Sequence, residues 1–356
     1  MRRGLIAWSK AELPDAVFEA RIERTRAAMD AAGLDALLLY TNNTRTAAVS
    51  WLTGFVPYWS EGMAILQRQG APVLVVALSN RVRRWIESVS RVERVIPAPR
   101  IGLEAGKLVA EAKDRASVGV VEFDNLRADI AGDLVKAGPH LQLGDATELF
   151  ARVRGAADPA DVALTAKAGW IAHRALATVP AGIGTIGAAI AAAEGQARLL
   201  GAEEAYIAAA PDLSRDRRLV RIETSAAAPG PCFALRATVA YKGNWARLTR
   251  TFFRDPKAAQ AGAVAAEQFA AAVATLPDGR AFKALPSWLV EGCRVAQPLD
   301  PLMGSRVGEP IAPAAGGLVS VQATHMVDGQ PVLIAAPALV GGTGRPTSLL
   351  VHPVFD

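Results

Sequence analysis

Cysteine and histidine are scarce in this chain of 356 residues, with two of the first and four of the second. Cys232 and Cys293 both sit in apolar surroundings without a CxxC spacing, which excludes a disulfide framework or a thiolate metal clip and points to buried thiols in a reducing compartment. A block of like charge is also missing. The net charge of +5 and the pI near 9.4 arise from 39 basic and 34 acidic residues spread along the chain, with no Lys/Arg run and no interleaved aromatics. Nucleic-acid binding needs a concentrated basic patch, so that class is not expected. Long apolar runs are absent too, since the alanine-rich stretches are broken by glycine or charge. The opening "MRRGLIAWSKAELPD" has two arginines without a signal-length apolar run behind them. The expectation is a cytoplasmic protein that binds neither membrane nor nucleic acid.

What is present is apolar mass, with 51% hydrophobic residues and a mean hydropathy of +0.21, enough for two domain cores. From Phe18 to Ala32, "FEARIERTRAAMDAA" carries the 3.6-residue period of a surface helix, ended by Gly33. "LDALLLY" is continuously apolar and reads as a strand buried on both faces. "TNNTRTAAVSWLTGF" reads as a loop leading into a second short element, and "EGMAILQRQGAPVLVVAL" as a hairpin closed around Gln69-Gly70. Strands at "ASVGVVEF" and "LQLGDA" with helices between complete an α/β domain. A long helical pattern then opens at Asp158-Pro159, and "TIGAAIAAAEGQARLLGA" forms another helix. Beyond about Ala205 the strands "CFALRATVAY", "NWARLTRTFF", "GLVSVQATHM" and "PVLIAAPALV", with one helix at "AGAVAAEQFAAAVATL", predict an α+β domain. The domains are predicted at 1–154 and 155–356.

The order of "RIERTRAAMDAAGLDALLLYTNNTRTAAVSWLTGF", "RVRGAADPADVALTAKAGWIA" and "GPCFALRATVAYKGNWARLTRTFF" resembles the creatinase, prolidase and Xaa-Pro aminopeptidase superfamily. Its most specific elements are the tetrads Leu52-Thr53-Gly54-Phe55 and Thr249-Arg250-Thr251-Phe252. The resemblance implies an α/β creatinase-like N-terminal domain followed by an α+β pita-bread C-terminal domain. In active metallopeptidases of that superfamily the corresponding strands carry D-x-G and then D-x-T-R-T, whose aspartates bind metal. The resemblance places the second aspartate at Arg247, two residues before Thr249, and the first at Arg236, eleven positions earlier. A guanidinium offers only donors and a permanent charge, so it cannot replace an anionic oxygen ligand. The histidine implied for the site has no counterpart in "MGSRVGEP", and the two later glutamates fall near Gln322 and Ala335. "PDLSRDRRLVR" lacks a histidine as well. No metal and no other cofactor is expected.

Several residues are candidates for what remains. Arg236 and Arg247 could hold a small carboxylate or phosphate, because a planar fork binds such groups bidentately. The residue types favour internal ion pairing over a ligand, with Glu223, Asp216 and Glu309 as possible partners, since unpaired burial of guanidinium groups is costly. His325, Glu309 and Glu223 are the candidate catalytic groups, with His325 placed near the former pocket. Arg45, Tyr58 and Trp59 lie in a loop that in relatives reaches over the pocket, often that of a neighbouring subunit, and are candidate substrate contacts or interface core. The run "DLSRDRRLVR" reads as a solvated mixed-charge loop and "LVGGTGRPTS" as a β-turn.

Retained fold signatures with arginines at ligand positions lead to a non-catalytic, dimer-forming protein, either a homodimer or a heterodimer with an active pita-bread paralogue. The rival expectation is a metal-independent, creatinase-like C–N hydrolase of a small anionic substrate gripped by Arg236 and Arg247.

Overall fold

The computed structural model describes residues 9–57, 59–221, 226–276, 278–293, 315–342 and 344–355. The chain divides into two compact units, Leu5–Gly155 and the segment from Ala156 onward.

The first unit is a mixed six-stranded sheet between two helical layers. Helix α1 (Asp15–Ala31) is followed by Gly33, whose φ of +66° lets the chain turn sharply into β1 (Ala36–Thr41). Every residue of β1 is buried, as its unbroken apolar run demands of a strand covered on both faces. Next come α2 (Ala47–Thr53), β2 (Gly62–Gln67), β3 (Val73–Val76), α3 (Arg83–Val89), β4 (Arg94–Pro97), α4 (Ile101–Ala112), β5 (Ser117–Val121), α5 (Ala128–Ala137), β6 (Gln142–Asp145) and α6 (Thr147–Gly155). The strand order is β4-β3-β2-β1-β5-β6, and the β2–β3 hairpin turns at Gly70, with φ +78°. Leu37 and Leu39 face a core shared with α1, α2 and Phe150 of α6. Leu38 and Tyr40 face a second core with α4 and α5.

The second unit starts at α7 (Pro159–Ala177), fixed by a reciprocal capping box between Asp158 and Asp161 and by Pro159 at its first turn. The helical pattern read from Asp158-Pro159 is α7, and residues 156–158 separate it from α6. Helix α8 (Ile186–Leu199), strands β7 (Glu204–Ala210), β8 (Cys232–Tyr241) and β9 (Asn244–Phe253), helix α9 (Pro256–Ala274), and strands β10 (Ser287–Gly292), β11 (Leu318–Val327) and β12 (Gln330–Leu339) follow. Their sheet runs β10-β11-β12-β9-β8-β7, antiparallel throughout. Helices α7 and α8 pack on Leu235, Ala237 and Leu248, while α9 packs on Val321, Ala323, Ile334 and Ala336. Because Thr249 stands opposite Ala335, their neighbours Leu248 and Ala336 share the other face, so both helical layers cover one face of this sheet.

The β8–β9 hairpin closes through Lys242 and Gly243, with φ of +46° and +74°, the two left-handed positions of a tight hairpin turn. The Glu203 carboxylate accepts a hydrogen bond from the Gly243 N–H at 3.2 Å, and burial pushes its pKa up to about 7. A carboxyl that binds its proton more tightly when folded costs stability as pH rises from its ordinary 4.5 through about 7. Glu203→Gln is therefore expected to flatten that decline. Chemical denaturation at about pH 8 should find the variant more stable by about 1–2 kcal/mol, a figure reduced for the partial exposure of the side chain. Near pH 4.5 the two proteins should coincide.

Candidate functional site

The register of the second sheet decides which side chains meet. Arg236 on β8 stands opposite Thr249 on β9, Thr249 opposite Ala335 on β12, and Ala335 opposite Gln322 on β11. One row lower, Arg247 stands opposite Thr238, which is opposite Tyr206 on β7. Side chains of such rows share one face, here the face opposite α7, α8 and α9. Arg250, by contrast, turns to the helical side, where its guanidinium lies 5.4 Å from the Phe252 ring centroid and 5.8 Å from that of Phe355.

Arg236 is 6% exposed and Arg247 4%. The Arg236 Nη1 donates to Gln322 Oε1 at 3.2 Å, and its Nη2 lies 4.0 Å from Glu291 Oε2 on β10. Internal pairing of Arg236 is thus observed, with a carboxylate absent from the sequence-based candidates. Asp216 is not that partner: its exposed carboxylate binds Arg218, Nη2 to Oδ2 at 2.6 Å, which holds its pKa down at about 2. Glu291 was missed because β10 was missed, although "SWLVEG" alternates like a half-buried strand. The same face carries Tyr206 and Trp245, stacked at 5.9 Å between centroids and 14° between planes. Arg221 lies 4.5 Å from the Tyr206 centroid, and the Tyr206 hydroxyl donates to Glu204.

His325 does not join the arginines. The β11 alternation that turns Gln322 and Thr324 to their face turns His325 to α9, where Nδ1 meets Gln268 Oε1 at 3.3 Å and the ring packs edge-on to Phe269 at 6.3 Å. Its Nε2 has no hydrogen-bond partner, and burial lowers its pKa from the ordinary 6.5. The expectation that His325 lies at the former pocket is corrected by this one-residue parity. Glu309, Glu223 and Tyr58 lie outside the described residues. In the first unit, Arg45 Nη1 binds Glu122 Oε2 at 3.2 Å, and Trp59 is 58% exposed. Cys232 and Cys293 are buried and form no disulfide, and burial raises the Cys232 thiol.

The divalent metal implied by the resemblance does not fit this donor set. Arg236 and Arg247 offer only donors, Gln322 Oε1 already accepts from Arg236, and Ala335 has nothing to offer. Among the described residues no group of three His, Cys, Asp or Glu side chains converges. No helix among them is long and apolar enough to cross a membrane.

Residues 21–155 match the family model of the creatinase/prolidase N-terminal domain. No curated protein matches the chain by sequence. Among solved structures, the chain is similar to an Xaa-Pro dipeptidase from Bacillus anthracis, with a TM-score of 0.69 and 16% identity over 95% of this chain and 99% of that one. A prolidase from Pyrococcus horikoshii OT3 gives 0.67 and 15% over 93% and 97%. An X-Pro aminopeptidase from Thermotoga maritima MSB8 gives 0.68 and 14% over 94% and 98%.

Proposed function

From a chain whose residues 21–155 form a creatinase/prolidase N-terminal domain and whose whole length has the two-domain pita-bread fold of prolidases, we propose a member that has given up metal-dependent hydrolysis and works as a non-catalytic, dimer-forming cytoplasmic protein. The observation that carries this reading is the register placing Arg236 and Arg247 on one buried face, at the positions the resemblance assigns to metal-binding carboxylates. A fixed cation at a cation site repels the metal as well as failing to bind it. Its role is that of a subunit, in a homodimer or beside an active pita-bread paralogue.

The metal-independent hydrolase is the weaker reading, because its candidate proton carrier, His325, packs against α9. Purification without chelator from the native cell, followed by native mass spectrometry and metal analysis, tests the proposal. The expected result is a dimer with no stoichiometric metal and no cleavage of Xaa-Pro dipeptides after Mn²⁺ or Co²⁺ is added. A bound metal accompanied by turnover, or a monomer, would overturn it.

A further inference from the structure

Helix α9 holds to the second sheet largely by small side chains. Its buried residues are Ala261, Gly262, Ala265, Ala266 and Ala272, with Phe269 and Val273 as the larger ones. An alanine removes little apolar surface from water, so this helix costs less to lift locally than its length suggests. Both ends are tied. Asp255 caps the first turn by accepting from the Lys257 N–H at 2.9 Å, and just past the last turn the Thr347 hydroxyl donates to Leu276 O at 2.9 Å. Between these ties, Gln268 and Phe269 meet His325 of β11.

The imidazole is buried, and its cross-strand neighbour is the buried Val332. A carboxamide oxygen only accepts, so the proton of the neutral ring sits on Nδ1 toward Gln268, and Nε2 keeps a lone pair that no donor meets. A second proton would place an N–H and a unit charge where no acceptor reaches. Among the described residues no opposite charge faces the ring. Lys257 and Glu267 of α9, Asp328 beyond β11 and Lys283 of the short helix Arg280–Ala284 stand at exposed positions, and Arg280 pairs with Asp278. Glu291 of β10, opposite Ser320, turns to the other face of the sheet, and β12 carries no charged residue. Burial is accordingly the cause that acts on the ring, lowering its pKa from 6.5. We infer that α9 is an acid-released cover: protonation of His325 drives the imidazolium to water by lifting the middle of α9 off β11 and β12, which bares the apolar strip of Val321, Ala323, Ile334 and Ala336. The way out is short, because Gln268 already stands at an exposed position.

Hydrogen–deuterium exchange of the full chain at about pH 7.5 and about pH 5.5, corrected for the intrinsic pH dependence of exchange, tests this device. In the lifted state the ring regains its ordinary 6.5, so acid favours that state. Residues 263–273 of α9 should therefore exchange up to about tenfold faster at about pH 5.5, while α7 keeps its protection. His325→Leu should abolish the acid response of α9. His325→Gln, which stays polar but cannot take a proton, should abolish it too and separates the charge from the change in packing. Unchanged exchange of α9 in acid, an equal rise in α7, or an acid response of α9 that survives in either variant would overturn the inference.

Discussion

Thr251→Val is expected to destabilise the second unit by about 2–4 kcal/mol, lowering its thermal midpoint by on the order of 10 °C. The Thr251 hydroxyl donates to Leu333 O at 2.9 Å and accepts from Leu333 N–H at 2.8 Å, both buried. It acts as a rung between β9 and β12, two residues along each strand from the Thr249–Ala335 backbone pair. Valine keeps the shape and removes both bonds, leaving a buried N–H and C=O unmatched. Thr251→Ser, which retains the hydroxyl, should recover most of the loss in the same calorimetric scan. A Val variant as stable as the parent would mean that the rung contributes nothing.

His325→Leu should have the opposite sign. The imidazole is 1% exposed, with an unmatched Nε2, and its partner Gln268 lies at an exposed position where it can turn to water. Removing the unmatched nitrogen should stabilise the protein by about 1–3 kcal/mol near neutral pH. Since burial places the folded pKa below the ordinary 6.5, the unfolded chain binds the proton more readily, and parent stability falls as pH drops below about 6.5 until the folded pKa is passed. The advantage of the variant should therefore widen across that window in urea titrations. A gap that stays constant with pH would show that His325 keeps its ordinary pKa in the fold, against the lowering that burial implies. Any catalytic role for His325 would instead appear as lost turnover, which its position against α9 does not support.

Much of the fold was legible because period and punctuation agree. The continuous apolar run of β1 demanded two covering layers, and the strands read at "CFALRATVAY" and "NWARLTRTFF" are β8 and β9. Strands β7 and β10 were not singled out, being short and, in the case of "EAYIAAA", made of alanines that carry little strand preference. The arginines were legible as departures from a spacing. Their surroundings were not, because Glu291 and Gln322 lie far along the chain from Arg236 and meet it only through the strand order. The misplacement of His325 has a simple cause: proximity to Gln322 in sequence says nothing until the parity of three residues along a strand is counted.

The strand order has a further consequence. Strands β7-β8-β9 and β10-β11-β12 are two consecutive meanders, each preceded by a helix, that meet edge to edge at β9 and β12. Arg236 belongs to the meander that leaves the ribosome earlier, while Gln322 and Glu291 belong to the later one, with 86 residues separating Arg236 from Gln322. During vectorial synthesis the first meander must wait with this cation solvated, and its side of the face can dry only when the second arrives. Desolvation of the arginine row is thus coupled to closure of the seam, which makes the polar face a late event in the birth of the molecule.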